Sequence, residues 1–116
     1  MKKSGIGIDI ADIERFKKLP YKTNKSFYNG IFSKSEIRYC LTHKNYSQHF
    51  AGKFAIKEAV KKSIPDKISM IDIVTLYKNS KPEIVLQKKL PYDFLVSVSH
   101  DSNVAVAVVI AQEISK

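Results

Sequence analysis

Residues 46–63 read YSQHFAGKFAIKEAVKKS and carry the longest helical pattern in this chain of 116 residues. Apolar and small side chains recur there at the three- and four-residue spacing of a helix face, at Phe50, Ala51, Phe54, Ala55, Ala59 and Val60. Pro65 follows and ends the pattern, because proline lacks the N–H that an α-helix needs. We therefore expect one long helix at the centre of the fold.

The segment that opens the chain predicts a strand. Residues 4–10 alternate between three isoleucines and the series Gly5, Gly7 and Asp9. This period of two predicts that the isoleucines are buried on one face and that the glycine face is open. Glycine and aspartate are both disfavoured inside a strand unless something approaches it closely.

The remaining elements follow from capping signals and from a change of period. Asp12 is suited to cap a short helix, and the capping box at residues 33–36 is suited to begin another. After Pro65 the residues become β-branched and predict strands at 68–77, 83–86, 94–99 and 104–111. One early strand, then helices, then hairpins is an α+β pattern, a mainly antiparallel sheet packed against a long central helix.

Composition and length set the broad class. Apolar residues make up 44% and charged residues 27% of the chain, which is ordinary for a globular protein and argues against disorder. The length fits a single domain over residues 1–116. We find no apolar run that predicts a membrane span, and the one cysteine cannot form an internal disulfide. We therefore expect a soluble cytoplasmic protein that does not bind membranes.

The charge is concentrated in the first half of the chain. Residues 1–62 contain 14 basic and 5 acidic side chains, whereas residues 63–116 contain six of each. This asymmetry indicates an anionic partner, which could be an acidic protein, a phosphorylated small molecule or nucleic acid. Lysines far outnumber the two arginines, Arg15 and Arg38, which disfavours sequence-specific DNA recognition.

Two carboxylates could form a metal site. On the predicted helix, Glu58 and Lys62 lie above a stripe of alanines, and Asp9 lies on the glycine face of the first strand. If Asp9 and Glu58 meet, their oxygens suit Mg²⁺ shared with substrate phosphates, and Lys53, Lys57, Lys61 and Lys62 would supply positive charge. The alternatives are an exposed Glu58–Lys62 pair and an edge-strand charge at Asp9.

His100 follows the alternating segment Val96-Ser-Val-Ser99 and lies beside a turn. Adjacent residues on a strand point to opposite faces, so Ser99 and His100 are a poor nucleophile and base pair. A phosphate contact is the better functional hypothesis, and an ordinary turn residue is the alternative.

These segments, in this order, resemble the holo-[acyl-carrier-protein] synthase family of small 4'-phosphopantetheinyl transferases. The opening Gly5-Ile-Gly-Ile-Asp9 to Arg15-Phe16 is similar to the family's Gly-x-Asp-x5-Arg signature. Residues 51–62 resemble its Ala-Gly-Lys and Lys-Glu-Ala-x-x-Lys helix, residues 79–82 its hairpin turn, and Val98-Ser-His100 its closing motif. Each motif is weak alone, but four in register are specific.

The resemblance implies an enzyme that transfers the 4'-phosphopantetheine of coenzyme A to a serine of apo acyl carrier protein, with Mg²⁺ as cofactor. It implies that Asp9 and Glu58 bind the metal and that Lys62 neutralises the pyrophosphate. The serine proton would pass to Glu58 or to a metal-bound water. The fold implied is that of the phosphopantetheinyl transferases, and the assembly implied is a homotrimer with active sites between subunits.

The same resemblance implies two binding surfaces. Arg15 would contact the acidic helix of the carrier protein. The coenzyme A contacts would be Lys53, Lys62, Ser63, Lys81, Pro82 and His100. One segment departs from the family: Ser63-Ile-Pro-Asp-Lys67 stands where a glycine-rich stretch is usual, which predicts weaker coenzyme A binding because Pro65 lacks an N–H and Asp66 repels phosphate.

Two other hypotheses compete with the transferase. A non-catalytic basic module for RNA or an acidic protein explains the charge but not Asp9 on a glycine face. No aromatic-rich strand of the sequence matches a base-stacking platform, so we expect no nucleic-acid partner. An inactive relative of the transferase is disfavoured because both acids are present.

Overall fold

Residues 3–114, which the computed structural model describes, form four α-helices and five β-strands. The helices are α1 (Ile13–Lys17), α2 (Lys25–Asn29), α3 (Lys34–Leu41) and α4 (Tyr46–Ser63). The strands are β1 (Ser4–Asp12), β2 (Ile73–Lys78), β3 (Lys81–Leu86), β4 (Tyr92–Asp101) and β5 (Val104–Glu113). The long helix therefore has the bounds that the sequence pattern predicts, and three of the four later strands differ from their expected bounds by at most two residues. The strand expected at 68–77 was wrong in its first half: β2 begins at Ile73, because Met70–Asp72 form a turn of 3₁₀-helix.

The strands form two antiparallel sheets beside α4. One sheet has the strand order β1-β5-β4, and the other is the β2-β3 hairpin. In the larger sheet Asp9 is paired with Ala107 across β1 and β5, and Val98 is paired with Ala107 across β4 and β5. The α+β expectation, a mainly antiparallel sheet packed against a long central helix, is confirmed.

The helix starts depend on the capping residues that the sequence indicates. The Asp12 carboxylate accepts a 3.0 Å hydrogen bond from the Glu14 N–H at the start of α1. At the start of α3, Ser33 Oγ accepts from the Glu36 N–H, and Glu36 Oε1 accepts from the Ser33 N–H, which completes a capping box. The sequence pattern did not predict the five-residue helix α2.

The glycines of β1 bring this strand against α4. A β-carbon placed on Gly5 would lie 1.8 Å from the Ser63 carbonyl oxygen, and one on Gly7 would lie 1.9 Å from the Ala59 carbonyl oxygen. Only a residue without a side chain permits this approach. The glycine face of β1 is therefore the packed face, and the expectation that it is open was wrong.

The isoleucines of β1 occupy the opposite face, which is exposed in the single chain. Ile6, Ile8 and Ile10 are 67%, 58% and 66% exposed, and Leu95 on the neighbouring outer face of β4 is 71% exposed. Strand alternation separated the two faces correctly, but the assignment of the isoleucines to the core was wrong. The core is built instead on α4, where Phe50, Ala51, Ala55 and Ala59 are fully buried.

Candidate active site

The packing of β1 on α4 creates a seam that brings Asp9 to Lys62. Lys62 Nζ donates to Asp9 Oδ1 at 3.0 Å and to the Ile8 carbonyl oxygen at 3.1 Å. The Lys62 side chain is 55% exposed and that of Asp9 is 16% exposed. The ammonium is thus held at the mouth of the seam, where it remains accessible to an anion from solvent.

Glu58 lies on the same side of α4 as Lys62. β1 contacts α4 at Gly5, beside Ser63, and again at Gly7, beside Ala59. Two residues along the strand therefore correspond to four residues, about one turn, back along the helix. The next step places Asp9 level with the helix turn that precedes Glu58. Glu58 is half-buried and belongs to none of the three ion pairs that residues 3–114 form. Its carboxylate is therefore available to a ligand.

The donor set at this seam suits a hard divalent cation that binds with phosphate. Within residues 3–114 no group of three or more histidine, cysteine, aspartate or glutamate side chains is arranged to hold a metal. A cation here would have at most two protein carboxylates, Asp9 and Glu58. Mg²⁺ is commonly bound in this way, with one or two carboxylates, substrate phosphates and water.

Two lysines that the sequence assigned to the charged surface are buried instead. Lys57 is 0% exposed, and its ammonium donates to Glu36 Oε1 at 2.7 Å and to two backbone carbonyl oxygens. Lys53 is 2% exposed and donates to the Thr75 hydroxyl at 2.9 Å. The expectation that Lys57 supplies charge to phosphates was wrong, because its charge is neutralised inside the protein. A coenzyme contact by Lys53 stays a prediction, and it would require this ammonium to leave Thr75.

Lys53, Lys57 and Glu36 form a buried charged cluster, called the interior group below. Burial and ion pairing have opposite effects on the pKa values of its members. Burial lowers the pKa of Lys53 and of Lys57, and at Lys57 the neighbouring Glu36 carboxylate partly offsets that effect. Burial raises the pKa of Glu36, but Lys57 and the hydrogen bonds from Lys57, Thr75 and Ser33 bring it below its ordinary value. Glu36 is therefore an anion at neutral pH.

The segment after α4 is held by β4. Ser63 is buried, and its hydroxyl donates to the Val60 carbonyl oxygen at 2.7 Å, so its side chain caps the last turn of α4. The Tyr92 hydroxyl donates to Asp66 Oδ1 at 2.5 Å, and this bond, with burial, raises the pKa of Tyr92 to about 12. The Asp66 carboxylate is thus already engaged by a partner from β4.

The β2-β3 hairpin presents Lys81 and Pro82 at its tip. Asn79 and Ser80 form a two-residue turn with φ values of 53° and 65°, so both adopt the left-handed conformation that glycine usually supplies in such turns. Lys81 is exposed. With Pro82 it lines a cavity of about 830 Å³ between the hairpin and residues 92–98 of β4. This cavity is large enough for part of a nucleotide-sized ligand.

His100 lies at the other end of α4 from Lys62. Its Nε2 is 2.8 Å from Nε2 of Gln48, which lies in the first turn of α4. Gln48 and Lys62 are separated by 14 helical residues, a distance of about 21 Å at 1.5 Å per residue. Within one chain, His100 and the Asp9–Lys62 pair therefore belong to separate regions.

A family model described as the 4'-phosphopantetheinyl transferase superfamily matches residues 5–109. A holo-[acyl-carrier-protein] synthase from Thermodesulfovibrio yellowstonii is 36% identical over 112 residues, which cover 91% of this chain and 96% of that protein. The chain belongs to the 4'-phosphopantetheinyl transferase superfamily.

Solved structures of these transferases have the same fold. The Helicobacter pylori holo-[acyl-carrier-protein] synthase in complex with coenzyme A is 34% identical, with a TM-score of 0.76 and coverage of 91% of this chain and 98% of that one. The Bacillus anthracis synthase, in complex with coenzyme A (3',5'-ADP), is 28% identical, with a TM-score of 0.81 and coverage of 94% and 96%. The seam between β1 and α4 therefore belongs to a fold that this chain shares with solved synthases of the superfamily.

In this transferase chain, Arg15 lies on a basic and aromatic surface. Its guanidinium carbon is 5.2 Å from the ring centroid of Phe54 and 5.7 Å from that of Phe27. Lys17, the last residue of α1, and Lys18, which follows it, are both exposed. The rings orient the guanidinium while its outer edge stays in solvent, which suits contact with a carboxylate.

Sequence reasoning missed Glu36 and Thr75 as partners of the transferase's interior lysines. The capping box identified Glu36 as a helix-start residue, which it is, but its second oxygen accepts from the Thr75 N–H and hydroxyl at 2.8 and 2.7 Å. The only signal in the sequence was the presence of two lysines at i and i+4 among buried alanines, which would need an internal anion.

Proposed function

We propose that this protein transfers 4'-phosphopantetheine from coenzyme A to a serine hydroxyl of an apo acyl carrier protein and releases adenosine 3',5'-bisphosphate. The observation that carries the proposal is the seam of β1 and α4, where Lys62 binds Asp9 one helical turn after Glu58, in a chain of this superfamily. The holo-[acyl-carrier-protein] synthases that it resembles support the same substrates.

The chemistry requires positioning and charge neutralisation more than a covalent intermediate. The serine oxygen forms a bond to the phosphorus that carries pantetheine, and the P–O bond to the adenosine side of the pyrophosphate breaks. Lys62 neutralises charge on the leaving phosphate, since its ammonium stands exposed beside Asp9. The serine proton passes to a base, for which Glu58 is the candidate within this chain.

We propose Mg²⁺ as the cofactor, held by Asp9 and Glu58 with the pyrophosphate. When bound, the ion would polarise the phosphoryl oxygens and neutralise developing charge. Two observations support this pair of ligands: the half-buried Glu58 carboxylate is free of ion pairs in the described part of the chain, and Asp9 lies on the strand that packs beside this helix.

We propose two substrate surfaces, of which the first extends beyond the seam. For coenzyme A they are Lys53, Lys62, Ser63, Lys81, Pro82 and His100. For the carrier protein the surface is that of α1, where Arg15 with its neighbouring lysines would meet acidic side chains and accelerate encounter at low salt. We also propose a cytoplasmic location, and no helix within residues 3–114 is both long and apolar enough to span a membrane.

We further propose that three copies assemble and complete each other's sites. The outer face of the β1-β5-β4 sheet is apolar, and its isoleucines at positions 6, 8 and 10, together with Leu95 and Ile110, are 42% to 71% exposed. A face of this kind is characteristic of a subunit interface. The separation of His100 from Lys62 along α4 supports a site that uses two chains.

Intact-mass spectrometry of an apo acyl carrier protein, after incubation with this protein, coenzyme A and Mg²⁺, tests the transfer. We expect the carrier to gain the mass of one phosphopantetheinyl group, and to gain none when the metal is omitted. A folded sample that modifies none of several apo carriers would contradict the proposal and favour a non-catalytic basic module.

Two charge-neutral variants test the metal ligands. Asp9→Asn and Glu58→Gln should each reduce the transfer rate by roughly a hundredfold or more, as removal of transition-state charge stabilisation does. Both should unfold near the wild-type urea midpoint, since neither side chain is in the core. Asp72→Asn, which changes a half-buried carboxylate just before β2, is the matched control. Near-normal turnover in either variant would refute the assignment.

Sedimentation velocity of Ile8→Lys tests the trimer. Ile8 is 58% exposed in one chain, so a lysine there should leave the subunit folded while it disrupts an apolar interface. We expect the wild type to sediment as a trimer and the variant as a monomer. Leu41→Lys, which changes an exposed leucine of α3, should leave the assembly unchanged; a monomeric wild type would exclude the trimer.

A further inference from the structure

The β2-β3 hairpin packs on the core through apolar residues such as Ile73, but it makes hydrogen bonds to the helices through one residue. In the structure of residues 3–114, every hydrogen bond from this hairpin to a helix passes through Thr75. The hairpin is a separate two-stranded sheet and is not hydrogen-bonded to the larger one. Thr75 therefore supplies the directional, polar part of the contact that orients the hairpin on the helices.

Thr75 joins a buried anion to a buried cation. Its hydroxyl donates to Glu36 Oε2 at 2.7 Å and accepts from Lys53 Nζ at 2.9 Å. Its backbone N–H donates to the same carboxylate oxygen at 2.8 Å, and its carbonyl oxygen accepts from Lys53 at 3.2 Å. Thr75 is 3% exposed, so these bonds are screened little by water.

The anion and the cation are themselves fixed on helices. Glu36 belongs to the capping box of α3 and pairs with Lys57 of α4 at 2.7 Å. Lys53 lies one turn before Lys57, with its ammonium 4.8 Å from the ring centroid of Tyr39 and 5.3 Å from that of Tyr77. All buried side-chain nitrogen and oxygen atoms in the described residues have partners, so the group is fully hydrogen-bonded while Lys53 stays on Thr75.

We propose that Thr75 is a positioning residue, which holds the β2-β3 hairpin against α3 and α4 and thereby sets where Lys81 and Pro82 meet coenzyme A. The inference rests on the proposed function, because it assigns a substrate to the hairpin tip. Thr75 pairs with Ile84, and each lies four residues from the nearer residue of the Asn79-Ser80 turn, so a small rotation at Thr75 displaces the tip by a larger distance. Thr75 itself is buried and does not touch the substrate.

The test compares Thr75→Val, which keeps the β-branched shape and removes the hydroxyl, with Thr75→Ser, which restores the hydroxyl. We expect Thr75→Val to raise the KM for coenzyme A about fivefold, the factor that corresponds to one ordinary hydrogen bond. The kcat and the KM for the carrier protein should stay near wild type. Thr75→Ser should return the KM for coenzyme A close to its wild-type value.

Val74→Ala is the matched control, because Val74 is the buried neighbour of Thr75 on β2 and has no polar side chain. It should lower stability without a change in the KM for coenzyme A. An unchanged KM in Thr75→Val, or an equal rise in Val74→Ala, would overturn the proposal. If Thr75→Val fails to fold, Tyr77→Leu removes the ring beneath Lys53 at a 38% exposed position and should raise the same KM by a smaller factor; no rise there would overturn the proposal.

Amide hydrogen exchange separates this inference from the proposed function. In Thr75→Val, exchange should become faster in residues 73–86 and remain unchanged in β1 and α4. If the wild type transfers no phosphopantetheine, the proposed function fails, and this exchange pattern alone then supports or refutes the attachment of the hairpin through Thr75. Unchanged exchange in the hairpin would refute it whatever the activity.

Discussion

Two groups of charged residues on α4 share one motif but differ in surroundings. At 100° per residue, Lys53 and Lys57 lie on one side of the helix, and Glu58 and Lys62 lie on roughly the opposite side. The first pair is buried and fully hydrogen-bonded to Glu36 and Thr75. The second is at least partly exposed and leaves groups available to a ligand. Lys57 and Glu58 are adjacent in sequence but have different surroundings, because successive residues of a helix point about 100° apart around its axis.

The interior group should make the larger contribution to stability. Lys57→Met leaves the buried Glu36 carboxylate without its ion-pair partner, so we expect the free energy of unfolding to fall by about 3–5 kcal/mol. Urea denaturation measures this loss. Lys61→Met, the same substitution at an exposed position of α4, should change stability by less than about 0.5 kcal/mol. Equal losses in the two variants would show that the buried pair has no special contribution.

The contact of Gly7 with α4 positions Asp9 beside Lys62. Its loss should have the next largest effect on stability. A methyl group on Gly7 would overlap the Ala59 carbonyl oxygen, so Gly7→Ala should cost about 1–3 kcal/mol or more and move Asp9 away from Lys62. At Gly52 the nearest atom to a new β-carbon is 3.6 Å away, so Gly52→Ala should be neutral or gain up to ~1 kcal/mol from helix propensity. Thermal unfolding of both variants checks the contrast, and a stable Gly7→Ala protein would contradict it.

The exposed lysine should affect activity far more than stability. Lys62→Met removes a pair whose lysine is 55% exposed, so the free energy of unfolding should change by less than about 1 kcal/mol. The transfer rate should fall strongly because the leaving phosphate loses its neutralising charge. Urea denaturation and the carrier-mass assay together check this. A stability loss as large as that of Lys57→Met would remove the distinction between the two groups.

A small pH effect should arise where the interior group adjoins histidines. Burial chiefly, and then His43, Lys53 and His100, lower the pKa of His49. The unfolded chain therefore binds a proton at this residue more readily, and stability should fall as the pH decreases through about 6.5. His49→Gln should reduce this slope in urea midpoints measured across that range. Because burial is the largest cause, the slope should persist at high salt; its loss there would contradict the assignment.

Much of the fold could be predicted because its signals are local. The apolar spacing of residues 46–63 gave the bounds of α4, and the capping residues Asp12 and Ser33 gave the starts of α1 and α3. The strand positions followed from β-branched runs between turns. The five-residue helix α2 was missed because its span has neither an N-terminal side-chain cap nor a clear apolar period.

The candidate site could be predicted in its residue types but not in its geometry. Asp9 stood out because an acid on a glycine-lined strand needs a close neighbour, and Lys62 proved to be that neighbour. The sequence could not assign Lys57 to the interior, because its partner Glu36 is 21 residues away and already had a local role. Long-range pairing of this kind leaves no periodic signal.

The sequence by itself determined most of the helical and extended segments, the residues that begin α1 and α3, and the difference between the two faces of β1. Only the tertiary structure decided which face of β1 is covered and which lysines of α4 are buried or exposed. The reason is physical: period and capping depend on neighbours along the chain, whereas burial and ion pairing depend on distant segments that meet only when α4, β1 and β2 pack together.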